Sequence, residues 1–188
     1  MKQEKYRKQK YRKSGFTLLE ILVVVLIIGV ITAITLPLYN RTVEQSYSTE
    51  ALNLIKAVAQ SAKVYAINRD TEFTSFDMLD IDIPWAKSTR VIGSSTDTLS
   101  NGIWALEVEN ASGAGWGDCI FITRITGKYK GAGFRICSYS RTNRIYCQER
   151  TNGTNIPFTP SLLPGAYCKN VMQWKFKSED QWSRSYLP

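Results

Sequence analysis

The sequence predicts an α+β protein: one long N-terminal helix laid across an antiparallel sheet of four to five strands, followed by a cysteine-closed C-terminal region. Three observations carry this. An apolar run from Phe16 to Leu38 continues into apolar residues that recur every three or four positions as far as Tyr65. Beyond residue 102 the pattern changes to short alternating stretches separated by glycine turns, and all four cysteines, Cys119, Cys137, Cys147 and Cys168, lie in that later half. A helix and a sheet that each have one apolar face are stable when each covers the other.

The helix comes first. From Phe16 to Leu38 there is one formal charge, Glu20. At about 1.5 Å per residue the run is long enough to cross roughly 30 Å of hydrocarbon. A carboxylate one turn into such a span costs at least about 2.5 kcal/mol on insertion scales, so Glu20 calls for a cation. Residues 1–15 carry seven lysines and arginines against Glu4, a net +6, and the rest of the chain keeps only +2 of the formal +8. A basic block directly before an apolar span orients the N-terminus to the cytoplasm and the C-terminal bulk to the outside. Most of the basicity is therefore topology. A secretory signal would be cut after its apolar run at small residues, which Thr32-Ala33-Ile34-Thr35 fits poorly. A plain anchor needs neither Gly15-Phe16 nor Glu20.

Gly15-Phe16-Thr17-Leu18-Leu19-Glu20 after a basic leader resembles the processing site of type IV prepilins and pseudopilins. The resemblance is specific over residues 13–39 and fades beyond. It implies removal of the leader, residues 1–15, by a prepilin peptidase that cuts between Gly15 and Phe16. Methylation of the Phe16 amine would follow, and Glu20 would pair with the Phe16 amine of a neighbouring subunit during assembly. Pro37 matches the place where the family's helix bends. The implied protein is a structural subunit of a filament, inserted in the inner membrane as a precursor and carried to an extracellular or periplasmic filament. Its partners would be further copies or related pilins, the membrane, and the assembly machinery. The fold implied is the same α+β arrangement that the periodicity predicts.

After the span, residues 39–68 read as the amphipathic half of the same helix. Val43, Tyr47, Ala51, Leu54, Ile55, Val58, Ala62 and Tyr65 form one stripe, with Glu44, Glu50, Lys56 and Lys63 elsewhere. Gly29 and Pro37 interrupt the helix, and a kink or a locally melted turn is expected at residues 33–37, because proline lacks an N–H and crowds the carbonyl of Ala33. The globular part, residues 69–188, opens on an acidic connection with one short helical turn near 75–79, capped by Thr74 or Ser75. Strands are expected at 103–109, 119–125, 134–139 and 144–148, with a half-buried one at 172–177. Ser112 to Gly117 and Thr151 to Thr154 read as turns. Four cysteines in an exported domain read as two disulfides with three possible connectivities. Sequential pairing, Cys119 with Cys137 and Cys147 with Cys168, is favoured because it closes loops of about 20 residues.

Chemistry finds little purchase here. The chain has no histidine, which removes Ser-His-Asp and Cys-His nucleophiles. Glu107 and Glu109 lie on one strand face near a turn, where solvation is expected. Residues 127–133 fit neither phosphate-binding glycine pattern and read as a hairpin. No Cys-x-x-Cys pair supports zinc, and Asp77, Asp80 and Asp82 lack the spacing of a calcium loop. Neither enzyme activity, nor a cofactor, nor a metal is expected.

Binding is the alternative. Residues 16–116 carry a net −5 and residues 117–188 a net +7. Arg124, Lys128, Lys130, Arg135, Arg141, Arg144 and Arg150 are interleaved with Tyr129, Phe134, Tyr139 and Tyr146, a combination that can hold DNA or another surface through phosphates and stacking. Solvated strand faces and charge-complementary subunit packing account for the same residues. The expected function is a pilin of a type IV pilus-like filament. The alternatives are a type II secretion pseudopilin or minor pilin, and a filament-borne subunit that binds DNA or a surface.

Overall fold

The computed structural model describes residues 15–69, 73–88, 97–109, 119–137, 144–150, 163, 165–179 and 183–188. Residues 1–14 of the leader, the turns expected at 112–117 and 151–154, the last two residues of the strand expected at 134–139, and Arg141 fall outside the described residues. The chain divides into two compact units, with the boundary between Arg41 and Thr42.

In the first unit the apolar run forms the opening half of helix α1 (Leu18–Arg69), and every residue from 15 to 40 is exposed. The helix is long and apolar enough to cross a membrane. It continues through Gly29 and Pro37, so the melted turn allowed for at 33–37 is not formed. Proline removes one ladder bond only. The hydroxyls of Thr32 and Thr35 donate to the carbonyls of Ile28 and Ile31 at 2.7 and 3.0 Å, one turn back.

The second unit packs the amphipathic half of α1 on a sheet. Ser48, Ala51, Ile55, Val58, Ala59 and Ala62 are the buried helix residues, at the spacing the sequence shows. All but Ser48 join Trp104, Leu106, Val108, Ile120, Ile122, Phe134 and Ile136 in one core. Each buried large aliphatic side chain there contributes about 1.5–3 kcal/mol relative to exposure. Phe76 to Met78 form the short helical turn, and Ser75 caps it: its Oγ accepts from the Asp77 N–H at 3.4 Å.

Among the described residues the sheet has eight antiparallel strands, correcting the expected four to five: β1 (Ala86–Lys87), β2 (Asp97–Ser100), β3 (Trp104–Glu109), β4 (Cys119–Arg124), β5 (Ala132–Cys137), β6 (Ile145–Arg150), β7 (Lys175–Glu179) and β8 (Ser183–Leu187). Their order is β1-β2-β3-β4-β5-β6-β8-β7. The central strands β3 to β6 are those with clear alternation. β1, β2 and β8 are short or rich in serine, and they become strands by pairing with a neighbour already in place. The half-buried strand expected at 172–177 is also corrected. Met172 closes the turn structure of residues 165–172, Gln173 and Trp174 follow as coil, and Gln173 takes a φ of 62°. The extended run starts only at Lys175 and is exposed throughout. The hairpin expected at residues 127–133 is formed, but its connection spans residues 125–131, with Ala132 and Gly133 already in β5; the Gly131 N–H closes it by donating to the Arg124 carbonyl at 2.9 Å.

Candidate assembly site and basic surface

At the helix start, Thr17 and Glu20 form a reciprocal cap. The Thr17 N–H and hydroxyl donate to Glu20 Oε2 at 2.8 and 2.9 Å, and the Glu20 N–H donates to Thr17 Oγ1 at 3.3 Å. Two N–H groups that the first helical turn would leave unpaired are satisfied in this way. The Glu20 carboxylate is thus held at Thr17, the residue after Phe16, and Phe16 is 84% exposed. Only Oε2 is engaged in these bonds, which leaves Oε1 for another donor. Gly15 has open space around it: a side chain there would meet nothing within 4 Å.

The two disulfides are Cys119–Cys137 and Cys147–Cys168, the sequential pairing. The first joins directly opposed residues of β4 and β5. Its cysteines pack with Ala105 and Phe121 on the sheet face away from the helix. The second lies in the helix-side core and ties β6 to the segment that follows Gly165. That segment is also held by Glu149. Its Oε2 accepts from the Gly165 N–H at 2.7 Å and the Tyr186 hydroxyl at 3.1 Å, and its Oε1 from the Tyr167 and Cys168 N–H groups at 2.8 and 2.9 Å. A buried carboxylate surrounded by donors of this kind is fully compensated. Ser48 on α1 and Tyr167 share a 2.6 Å hydrogen bond, and Gln45 Nε2 donates to the Val171 carbonyl at 2.8 Å.

The basic residues do not act as one group. Arg124 is withdrawn from the surface: its guanidinium lies 3.1 Å from Glu44 and over the rings of Tyr47 and Trp104 at 5.0 and 5.3 Å. Arg150 is also buried, over Phe121. Lys128 is exposed beside the Tyr129 ring, and Lys130 is half-buried in the same turn. Arg135 is half-buried and Arg144 exposed, and both approach Tyr146. Sequence reasoning missed Lys177, whose Nζ donates to the Tyr146 hydroxyl at 3.1 Å from about thirty residues away. No local pattern links the two positions, because a third strand, β8, lies between theirs.

Glu107 corrects another expectation. It is fully buried on the sheet face away from the helix, where the Thr98 hydroxyl donates to it at 3.4 Å, and is not solvated. Glu149, a single acid in a basic stretch, likewise carried no signal of its role. Asp77 is paired with Lys87. Among the described residues no three His, Cys, Asp or Glu side chains stand together as metal ligands.

An apolar helix that starts two residues after Phe16 with a capped glutamate, in a chain whose second unit is a disulfide-bonded α+β domain, fits a membrane-anchored precursor. Residues 10–36 match the prokaryotic N-terminal methylation motif. The chain is 38% identical over 60 residues to the type II secretion system core protein G of Pseudomonas aeruginosa, covering 32% of this chain and 42% of that protein. It is 26% identical over 98 residues to a fimbrial protein of Neisseria meningitidis, covering 52% of this chain and 51% of that one. A fimbrial protein of Pseudomonas aeruginosa is 27% identical over 135 residues, 69% of this chain and 88% of the relative. For the first two relatives the match thus spans about half their length or less. No solved structure matches the chain. By this motif and these relatives, the chain is similar to type IV pilins and pseudopilins, most clearly along its N-terminal helix.

Proposed function

We propose that the protein is a structural subunit of a pilus-like filament, processed between Gly15 and Phe16 and polymerised through its N-terminal helix. One observation carries this reading: a wholly exposed apolar helix surface from Phe16 to Leu38 whose single charge, Glu20, is held by Thr17 with one oxygen open. Exposed apolar surface of that extent is stable in lipid or against copies of itself. Cleavage by a prepilin peptidase on the cytoplasmic side creates an amine at Phe16, which is then methylated. In low dielectric the open Glu20 oxygen receives the amine of an incoming subunit. Neutralising both charges at once favours one axial register, because a slipped neighbour leaves each buried and unpaired. Glu20 and Phe16 are thus the assembly residues, and no catalytic group is required.

The test is filament yield after shearing from cells carrying Glu20→Ala or Gly15→Ala. Gly15→Ala should leave unprocessed precursor in the inner membrane, and Glu20→Ala processed subunits without filaments. Normal filaments from either variant would overturn the mechanism. The same fraction separates the two relatives' roles. A pilin dominates sheared surface filaments, whereas a type II secretion pseudopilin is missing from them.

A further inference from the structure

Lys177 occupies an irregular position in β7. The register passes from Phe176 opposite Tyr186 to Ser178 opposite Ser185, so Lys177 is the extra residue of a bulge. A bulge re-aims the side chain it displaces. Here the lysine reaches across β8 to Tyr146 on β6, where its Nζ lies 3.1 Å from the hydroxyl and 4.6 Å from the ring centroid. Arg135 adds a guanidinium 5.7 Å from the same centroid, and the exposed Arg144, two residues before Tyr146, adds a third positive charge near the phenol. Three cations therefore surround one tyrosine, and two of them, Lys177 foremost through its hydrogen bond and then Arg144, hold its hydroxyl below the ordinary phenol range.

Arg144 and Lys177 are exposed, and neither is paired with a carboxylate among the described residues. Glu179, an acid on β7, is already engaged by Arg184 at 3.0 Å. Lys175 extends the positive charge along the strand, which is the last of the sheet and exposed along its length. Like charges gathered at a surface without a counter-charge of their own are attracted to a polyanion.

We infer that Arg144, Tyr146 and Lys177, backed by Arg135, form a binding site for the phosphodiester backbone of duplex nucleic acid. The ring geometry selects this ligand over a single strand. Sequence-tolerant binding of single strands uses open aromatic faces on which bases stack. The Tyr146 ring already has two cations over it, so it positions the lysine and arginines and does not stack. Backbone contacts of this kind carry charge recognition without base readout. The site is separate from the assembly residues and does not depend on the filament reading.

The experiment measures fluorescence anisotropy of a short mixed-sequence duplex with the full chain in neutral detergent, over a series of salt concentrations. Lys177→Gln combined with Arg144→Gln should lower affinity about tenfold and reduce the log–log salt slope by about 2, one for each phosphate left without its cation. Lys56→Gln combined with Lys128→Gln removes the same charge elsewhere and should change affinity less than about twofold. Equal losses in the two double variants, or no duplex binding by the parent chain at low salt, would overturn the inference. So would binding to anionic phospholipid vesicles that duplex fails to displace. Acetylation of the unaltered chain gives a readout that needs no variant. Bound duplex should shield Lys177 several-fold while leaving Lys87, near the opposite end of the sheet, reactive. Unchanged reactivity at Lys177 would sink the site. Since no step requires polymerisation, its failure and the failure of filament assembly are read separately.

Discussion

Glu149 Oε1 accepts the Tyr167 N–H at 2.8 Å, linking a strand in the middle of the sheet to the turn that closes the C-terminal region. Three further donors, the Gly165 and Cys168 N–H groups and the Tyr186 hydroxyl, complete the carboxylate's shell. The disulfide between Cys147 and Cys168 crosses the same junction. Covalent and charge-assisted bonds thus hold one segment against the helix-side core.

Glu149→Gln should destabilise the chain by about 3 kcal/mol, because an amide supplies one acceptor oxygen where two are used and leaves buried N–H groups unpaired. Thermal unfolding of the full chain in detergent checks this, with the disulfide intact in both proteins. An unchanged midpoint would mean that the carboxylate does not organise the segment.

Alkaline pH should act through the same junction. Tyr186 is pushed up to about 12, by burial first and then by the Glu149 carboxylate. Burial raises Tyr167 further. Unfolded phenols titrate near pH 10, so between about 10 and 12 the folded chain holds more protons than the unfolded one. Stability is accordingly full below pH 10 and falls as pH rises through that window. Absorbance at the phenolate wavelength should show Tyr146 ionising early, with Tyr186 and Tyr167 ionising late. Tyr186→Phe should flatten the decline in melting temperature.

The ion pair of Arg124 with Glu44 gives a third test. Glu44→Gln leaves a largely buried guanidinium between Tyr47 and Trp104 without its counter-charge, at a cost of about 3–5 kcal/mol. Adding Arg124→Met should recover most of that loss, since an apolar side chain fits beside two rings. Failure of the second substitution to restore the denaturation midpoint would show that the pair contributes more than charge balance.

Gly133→Ala should prevent normal folding. A Cβ there would fall 2.0 Å from the Ile122 carbonyl oxygen, a backbone atom that cannot move without parting β4 from β5. Gly29→Ala meets nothing within 4 Å and should preserve or raise helix stability, by about 1 kcal/mol at most. Yield and amide circular dichroism of the two variants distinguish them.

Legibility followed the range of the interactions. The stripe in α1 and the strands β3 to β6 could be read because helix and strand periods are written in neighbouring residues. The sequential disulfides follow from short loops, although only the register reveals that one lies on each side of the sheet. Alternation misplaces Glu107, because it tells which residues share a face and not whether that face is covered. The open assignment of seven basic residues had the same cause. Arg124 and Arg150 are spent on interior partners, while Lys177, outside that stretch, joins Arg144 through a bulge no sequence pattern announces.

By itself the sequence determined the apolar run, the basic block before it, the Gly15-Phe16 pair and the charge at Glu20, since each depends on residues within a few turns of one helix. The Glu149 junction, the exposed β7 edge and the cations around Tyr146 were decided by tertiary structure alone. Each of these needs strands or segments that meet only after the sheet has set its register.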